Sequence, residues 1–258
     1  MRAILLELVK RMNGCPPLAC EVIPWASPVP SFGDPMKSPV ATLALNPSYL
    51  EFQSYSGKEF DGGERRLHTL RSLELERWED METHHPDRIL DGCRNYFARN
   101  PYNKWFKPLD SIISGTGHSF YSKERPASHL DLVPYATARI WGEISFARQR
   151  GMVKCCGDIL GLILKESGVK FLVLNGKGVA ENFEKLSGTN LQKDRMRTPD
   201  KHTIYLYSGE ISSLAGVPLG KTVAVRGFNY YIQRAPLTER ERSLIREWIG
   251  NEFRKPGI

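Results

Sequence analysis

Polar residues follow several short apolar runs in this sequence, and their types are those that do chemistry in proteins. The segments 46–48 (Asn-Pro-Ser) and 175–177 (Asn-Gly-Lys) each come directly after such a run, and Asp131 lies within a third one. An amide can orient a water molecule, a carboxyl group can transfer a proton, and a lysine can contact a phosphate. In a parallel sheet, ligands bind beyond the carboxyl ends of the strands. We therefore expect these side chains to converge on one cleft.

The elements that must position these residues alternate between helices and short buried strands. Continuous apolar runs predict strands at 40–45, 129–133 and 169–174, and later runs predict strands at 204–207 and 221–225. The spacing of apolar residues predicts helices over the segments 65–75, 86–98, 153–164, 179–186 and 238–253. This alternation is typical of an α/β domain with a mostly parallel sheet.

The first part of the chain differs in composition from the rest. Residues 1–14 predict a short amphipathic helix, and the following segment to residue 39 is rich in proline, which removes backbone donors and favours extended chain. We expect 1–39 to be a helix and lead-in packed on a single α/β domain at 40–258. The opening residues lack the cleavage pattern of a signal peptide.

Composition narrows the class of protein. The chain has 258 residues, with 41% hydrophobic and 25% charged residues, which excludes a disordered or fibrous chain. No apolar run approaches the roughly 20 residues that span a bilayer, so we expect no membrane partner. The net charge of +7 favours a nucleic-acid partner, because a groove that follows phosphates needs lysine and arginine.

The five cysteines predict neither a disulfide framework nor a metal site. Their number is odd and no C-x-x-C pair occurs. We therefore expect a reducing, cytoplasmic compartment, no metal and no cofactor.

The strand ends, taken in order, resemble motifs of the uracil-DNA glycosylase superfamily, most closely its thymine/uracil mismatch branch. LALNPS resembles that branch's first motif, a strand followed by Gly-Ile-Asn-Pro-Gly, and FLVLNGKGV resembles its strand ending in Phe-Asn-Gly-Lys. HLDLVPYAT lies where the family has a strand with a base-reading Asn, and VAVRGFNYYIQ lies at the last motif, whose loop enters the minor groove. The resemblance covers residue 40 to the C-terminus. It implies a three-layer α-β-α sandwich with a central, mostly parallel sheet of about four strands.

The resemblance also implies roles for individual residues. Asn46 would hold the attacking water, and Ser48 would leave open the side of the base where strict uracil enzymes place a blocking Tyr. Tyr49 or Phe52 would stack on the flipped base. The remaining residues of the predicted base pocket are Leu45, Pro47 and Asn175. Those predicted to contact DNA are Lys177, Arg226, Asn229 and Tyr230, with His118, Lys123, Arg125 and His129 as further candidates for phosphate contacts.

Three departures from the family pattern bear on the substrate. Ala44 stands where the family usually has Gly, Asp131 stands where it has Asn, and the last motif lacks both His-Pro-Ser and Pro-Ser-Ser. A protonated Asp131 could accept a hydrogen bond from N4–H of cytosine and donate one to N3, and burial favours that neutral form. We therefore expect Asp131 to be a second catalytic residue that selects a cytosine-type base bearing a 5-substituent.

The sequence thus predicts a monofunctional DNA glycosylase that leaves an abasic site, with a modified cytosine such as those of bacteriophage DNA as the favoured target. Anti-phage glycosylases of this superfamily exist, and the chain resembles them. Repair of uracil or mismatched thymine, a non-catalytic nucleic-acid-binding module and an unrelated small-molecule hydrolase are the alternatives. Asn46 and Asp131 could also be ordinary capping residues, and Tyr49 and Phe52 could belong to the core.

Overall fold

The computed structural model describes residues 1–198 and 202–256, and within them six strands form one open sheet. The strands are β1 (Val40–Ala44), β2 (Ala127–Asp131), β3 (Phe171–Asn175), β4 (Gln192–Met196), β5 (Ile204–Leu214) and β6 (Val217–Phe228). Their order is β2-β1-β3-β6-β5-β4. The first four strands in this order run parallel, and the last two extend the sheet antiparallel. The predicted α/β class and mostly parallel sheet are confirmed.

The sheet is larger than the four strands that the resemblance implies. The runs at 204–207 and 221–225 are parts of two long strands, β5 and β6, joined by a tight turn at Ala215 and Gly216, which both have positive φ. Such a turn matches the twist of a hairpin. The edge strand β4 is exposed and polar, so no apolar pattern marks it.

The helices cover the sheet and extend the core. They are α1 (Arg2–Gly14), α2 (Pro16–Ala19), α3 (His85–Arg94), α4 (Asn103–Ile113), α5 (Phe146–Glu166), α6 (Lys177–Ser187) and α7 (Glu239–Phe253). Every residue of β1, β2 and β3 is buried, so both faces of these strands are covered. Thr238 and Glu241 form the capping box that opens α7. The helix predicted over 65–75 is wrong, because this stretch contains only a short 3-10 turn at Arg71–Leu73.

The N-terminal segment packs against the rest of the described chain. Helix α1 buries Leu5 and Leu8, which belong to the same hydrophobic core as the sheet. A disulfide joins Cys15, at the end of α1, to Cys155 in α5. The prediction of no disulfide is therefore wrong, because the partners are 140 residues apart and only the packing of α1 on α5 brings them together. None of the described helices is long and apolar enough to cross a bilayer.

Candidate active site

A cavity of about 610 Å³ opens at the carboxyl ends of β1, β2 and β3. Its volume is in the range of small-molecule sites, roughly 300–1,000 Å³. The strand register explains its position, because Ala44 pairs with Asp131 and the loop after β1 starts at the same level of the sheet. Ten sequence-predicted residues line the cavity: Leu45, Asn46, Pro47, Ser48, Tyr49, His129, Asp131, Asn175, Lys177 and Asn229.

The side chain of Asn46 is held in one orientation. Its amide nitrogen Nδ2 donates to the carbonyl oxygen of Pro47 at 2.9 Å and to Oγ1 of Thr137 at 3.0 Å. The hydroxyl of Thr137 donates to the carbonyl oxygen of Arg139 at 2.7 Å, so its oxygen can only accept from Asn46. Both amide protons are thereby used. The carbonyl oxygen Oδ1 of Asn46 makes no hydrogen bond with a described residue and is left to accept one in the cavity.

Asp131 is a buried carboxyl group without a hydrogen bond. The residue is 4% exposed, and neither side-chain oxygen has a hydrogen-bond partner among the described residues. Nε2 of His129 lies 3.5 Å from Oδ1, at the limit of hydrogen-bond length, and Nδ1 of the same ring lies 2.6 Å from Oγ1 of Thr42. A buried carboxyl that makes no hydrogen bond is costly. A cavity wall is where such a group can recognise a ligand.

Glu51 is a second carboxyl on the cavity wall, and the sequence analysis missed it. It lies in the 3-10 turn Tyr49–Glu51 that follows the Asn-Pro-Ser segment, and it is 2% exposed. Its Oε2 accepts a hydrogen bond of 2.5 Å from the hydroxyl of Tyr96. Burial raises the pKa of Glu51 to about 7, while Tyr96 and Arg66 oppose that rise and the charge of Asp131 adds to it.

Aromatic rings form another part of the cavity wall. Trp105 and Tyr231 both line it, with ring centroids 4.9 Å apart. Burial, followed by the charge of Asp131, raises the pKa of the Tyr231 hydroxyl, which therefore stays neutral. Tyr49 is half-buried and lines the cavity as well. These rings offer flat surfaces on which a planar ligand can stack.

Ser48 lies among these rings and leaves space beside it. Its Oγ accepts a hydrogen bond from the backbone nitrogen of Leu50 at 3.2 Å and so caps the 3-10 turn. The small side chain contributes a hydroxyl rather than a ring to the cavity wall.

The cavity is also lined by four basic side chains: Lys104, Arg139, Lys177 and Arg234. Lys104 and Arg234 are exposed and form no salt bridge with a described residue. Lys177 lies 3.5 Å from Glu181, and Arg139 pairs with Glu21, which Arg148 also contacts. The basic groups outnumber the two acidic ones, so the cavity suits an anionic ligand.

Several predicted residues lie elsewhere. Phe52 is 1% exposed and packs edge-on against Trp25 in the core, so the prediction that it stacks on a ligand is wrong. Arg226 is buried in β6 and forms an ion pair of 2.7 Å with Glu252, so it is not free to contact a phosphate. Tyr230 packs near His202 and does not line the cavity.

The weaker candidates for phosphate contacts are also placed differently. His129 lies in β2 beside Asp131 and lines the cavity, but it is 2% exposed and its Nδ1 is hydrogen-bonded to Thr42. His118 contacts Phe253, and neither it nor Lys123 or Arg125 lines the cavity.

Asn175 and Asn229 line the cavity, but their amide groups already make hydrogen bonds. Nδ2 of Asn175 donates to Gln233 at 2.9 Å, and its Oδ1 accepts from the backbone nitrogen of Ile232 at 3.1 Å. Asn229 accepts from the backbone of Tyr205 and donates to the backbone of Thr203. Both amides therefore hold loops around the cavity.

No group of three or more His, Cys, Asp or Glu among residues 1–198 and 202–256 could hold a metal ion. Neither a protein-family model nor a curated protein matches the chain. The chemistry must therefore be argued from the cavity itself.

Proposed function

We propose that the protein is a monofunctional DNA glycosylase that flips a pyrimidine out of the helix and hydrolyses its N-glycosidic bond. The observation that carries this proposal is the pairing of two groups in one cavity. Asn46 offers a free carbonyl oxygen, and Asp131 offers a buried carboxyl without a hydrogen bond. The carbonyl oxygen of Asn46 can accept a hydrogen bond from a water molecule, and the carboxyl group of Asp131 can hydrogen-bond to the polar edge of a base.

The cavity also supports the flipping of a base. Extrusion of a nucleotide costs a few kcal/mol, which stacking and hydrogen bonds in the pocket must offset. Stacking on an aromatic ring contributes about 1–3 kcal/mol per base, and Tyr49, Trp105 and Tyr231 present such rings. The exposed Lys104 and Arg234 at the cavity suit the phosphates on either side of the flipped nucleotide.

Asn46 positions the attacking water in this proposal. Its fixed amide leaves Oδ1 to accept one water proton, which aims a lone pair of the water oxygen at C1′ of the sugar. An amide is a poor base, so its contribution is orientation rather than proton transfer. Carboxylate charge in the cavity stabilises the positive sugar that develops as the bond breaks.

Asp131 selects the base. In its protonated form the carboxyl accepts from N4–H of cytosine and donates to N3, which makes the departing base a better leaving group. The small side chain of Ser48 and the cavity volume of about 610 Å³ accommodate a 5-substituent. A modified cytosine in foreign DNA, as in a bacteriophage, is the favoured target, because excision of ordinary cytosine would damage the host genome.

We expect base release without strand cleavage, because the lysines at the cavity lack the surroundings of a Schiff-base lysine. A Schiff-base lysine is activated in an apolar pocket or beside another cation, whereas Lys104 and Lys177 are exposed. The proposal includes membership of the uracil-DNA glycosylase superfamily with its three-layer α-β-α sandwich, and a cytoplasmic location, where foreign DNA is met.

A screen of duplexes tests the proposal. Each duplex carries one 5-hydroxymethylcytosine, 5-methylcytosine, cytosine, uracil or G-mismatched thymine, and the released base is weighed by mass spectrometry while abasic sites are scored by alkali. We expect release of a 5-substituted cytosine and breaks only after alkali. The variant Asp131→Asn keeps the shape but has no acidic proton for N3, so its rate on modified cytosine should fall about 10–100-fold relative to uracil, by loss of roughly 1–3 kcal/mol of base recognition. Release of uracil alone by the wild type, or of no base, contradicts the proposal.

A further inference from the structure

Two buried carboxyl groups share the cavity, and neither is paired with a lysine or an arginine of the described chain. Glu51 is 2% exposed and Asp131 is 4% exposed, and neither forms a salt bridge with a lysine or arginine among the described residues. Arg66 acts on Glu51 only at longer range, because its guanidinium donates to the carbonyl oxygen of Leu50 at 2.6 Å. Burial makes a charge on Glu51 costly and raises the pKa of its carboxyl to about 7, so Glu51 holds a proton near neutral pH.

The surroundings of each carboxyl decide where that proton rests. Tyr96 donates to Glu51, and Arg66 adds positive charge from a distance. Asp131 faces the ring of His129 and lies near the neutral hydroxyl of Tyr231. Burial prevails at Glu51 and holds its pKa at about 7. In the free protein Glu51 therefore carries a proton up to about neutral pH.

The carboxyl group of Glu51 is also fixed in position, as catalysis requires of a reacting group. The hydroxyl of Tyr96 accepts from the backbone nitrogen of Tyr102 at 2.9 Å and donates to Oε2 of Glu51 at 2.5 Å. This chain fixes the carboxyl on the wall of the cavity. Its other oxygen, Oε1, makes no hydrogen bond with a described residue.

We propose, building on the proposed function, that Glu51 is the catalytic base that takes a proton from the attacking water, while Asp131 acts as the acid toward the departing base. In this proposal, binding of a cytosine edge draws the proton of Glu51 onto Asp131, where N3 needs it, and leaves Glu51 as a carboxylate. The division into one acid and one base is that of the inverting glycosidases, which also break a bond at an anomeric carbon.

The reaction balances with water as the only co-substrate. The water oxygen forms a bond to C1′, and the bond from C1′ to N1 breaks with its electron pair left on the base. The proton of Asp131 passes to N3, and the water proton passes to Glu51. The products are an abasic sugar with a hydroxyl at C1′ and a neutral base, and the pair again holds one proton on Glu51.

Single-turnover rates between pH 5 and 9, on the modified-cytosine duplex that the wild type cleaves best, test this inference. We expect the wild-type rate to fall on the acidic side, as Glu51 becomes protonated and can no longer act as a base. Glu51→Gln keeps the acceptor for Tyr96 but removes the base, so the rate should fall about 10²–10⁴-fold and the acidic limb should vanish. Affinity for the duplex should stay unchanged, and the exposed control Glu64→Gln should match the wild type.

Tyr96→Phe provides a second test, because it should change the pH at which the rate falls. A purely structural role of Tyr96 would not change that pH. The hydrogen bond from Tyr96 lowers the pKa of Glu51, so its loss should shift the acidic limb to higher pH while the plateau rate falls less than in Glu51→Gln. A wild-type profile without an acidic limb overturns the inference, even if Glu51→Gln does not fold. So does a folded Glu51→Gln with the wild-type rate and profile. In both cases the wild type still releases base, whereas a wild type that releases none refutes the proposed function and this inference with it.

Discussion

Two regions at the carboxyl edge of the sheet are built from similar polar residues but differ in how their hydrogen bonds are used. On one side, at the ends of β1 and β2, Asn46 keeps a free carbonyl oxygen and Asp131 has no hydrogen bond. On the other side, at the ends of β3 and β6, Asn175 is fully hydrogen-bonded and Arg226 is paired with Glu252. We call these the open side and the closed side.

This difference distinguishes residues that can take part in the reaction from residues that stabilise the fold. The sheet brings polar residues to the same edge on both sides, so position alone does not identify a functional group. Groups whose hydrogen bonds are complete within the protein stabilise the fold, while groups with a free donor or acceptor are available to a ligand. We therefore expect substitutions on the open side to change rates and those on the closed side to change stability.

The largest expected effect is on the open side, at Asn46. Asn46→Ala removes the oxygen that orients water, so base release should fall about 10²–10³-fold, as when one preorganised polar group is lost from an active site. Single-turnover release and duplex binding are measured together. Binding and thermal stability should stay near wild-type values. Loss of binding in parallel with the rate would mean that Asn46 has no separate role in catalysis.

The next effect is on the closed side, at Glu252. Glu252→Gln leaves Arg226 buried beside a neutral partner, which should lower the free energy of unfolding by about 3 kcal/mol. Although burial opposes them, Lys255 and Arg226 hold the pKa of Glu252 below its ordinary value. Its stabilising contribution is therefore complete above the ordinary pKa of about 4.3 and is lost as the pH falls through the lower folded value.

Denaturant unfolding of wild type and Glu252→Gln at pH 7 and pH 3 measures this difference. The gap between the two proteins should be present at pH 7 and should narrow at pH 3. Base release by the folded variant should be unchanged. A slower chemical step in a variant that stays folded would contradict the division into open and closed sides.

The smallest expected effect is at Thr137, which lines the cavity and holds the amide of Asn46 by a hydrogen bond. Thr137→Val removes the acceptor for Nδ2 of Asn46 and frees the amide to turn, so the rate should fall about 10-fold, by roughly 1.4 kcal/mol in the barrier. Thr137→Ser keeps the hydroxyl and is the matched control, which should retain the wild-type rate. Equal rates in Val and Ser variants would show that Asn46 needs no such support.

Sequence could predict β1 and β3 because each is a largely apolar run followed by a turn. The run predicted at 129–133 is shifted from β2, which is Ala127–Asp131 and mostly polar in sequence. Sequence could not predict that Phe52 points into the core, since that depends on its contact with Trp25. Nor could it find the partner of Arg226, which lies on α7.

Glu51 and Thr137, which the sequence analysis did not predict as site residues, are marked only weakly in the sequence. Glu51 is one acidic residue among 29 Asp and Glu, and only its burial beside Tyr96 distinguishes it. Its place five residues after Asn46, within the same predicted loop, was the one available hint. Thr137 acts through a single hydrogen bond that forms after β2 returns beside β1.

A structure of the protein with a duplex that holds a hydrolysis-resistant 2′-fluoro-arabino form of the preferred modified cytidine is the most direct test. The account predicts that the flipped base lies in the cavity with N4 and N3 within hydrogen-bond distance of Asp131 and C1′ facing Oδ1 of Asn46 across one water. A base that lies elsewhere, or whose N3–N4 edge points away from Asp131, would contradict it.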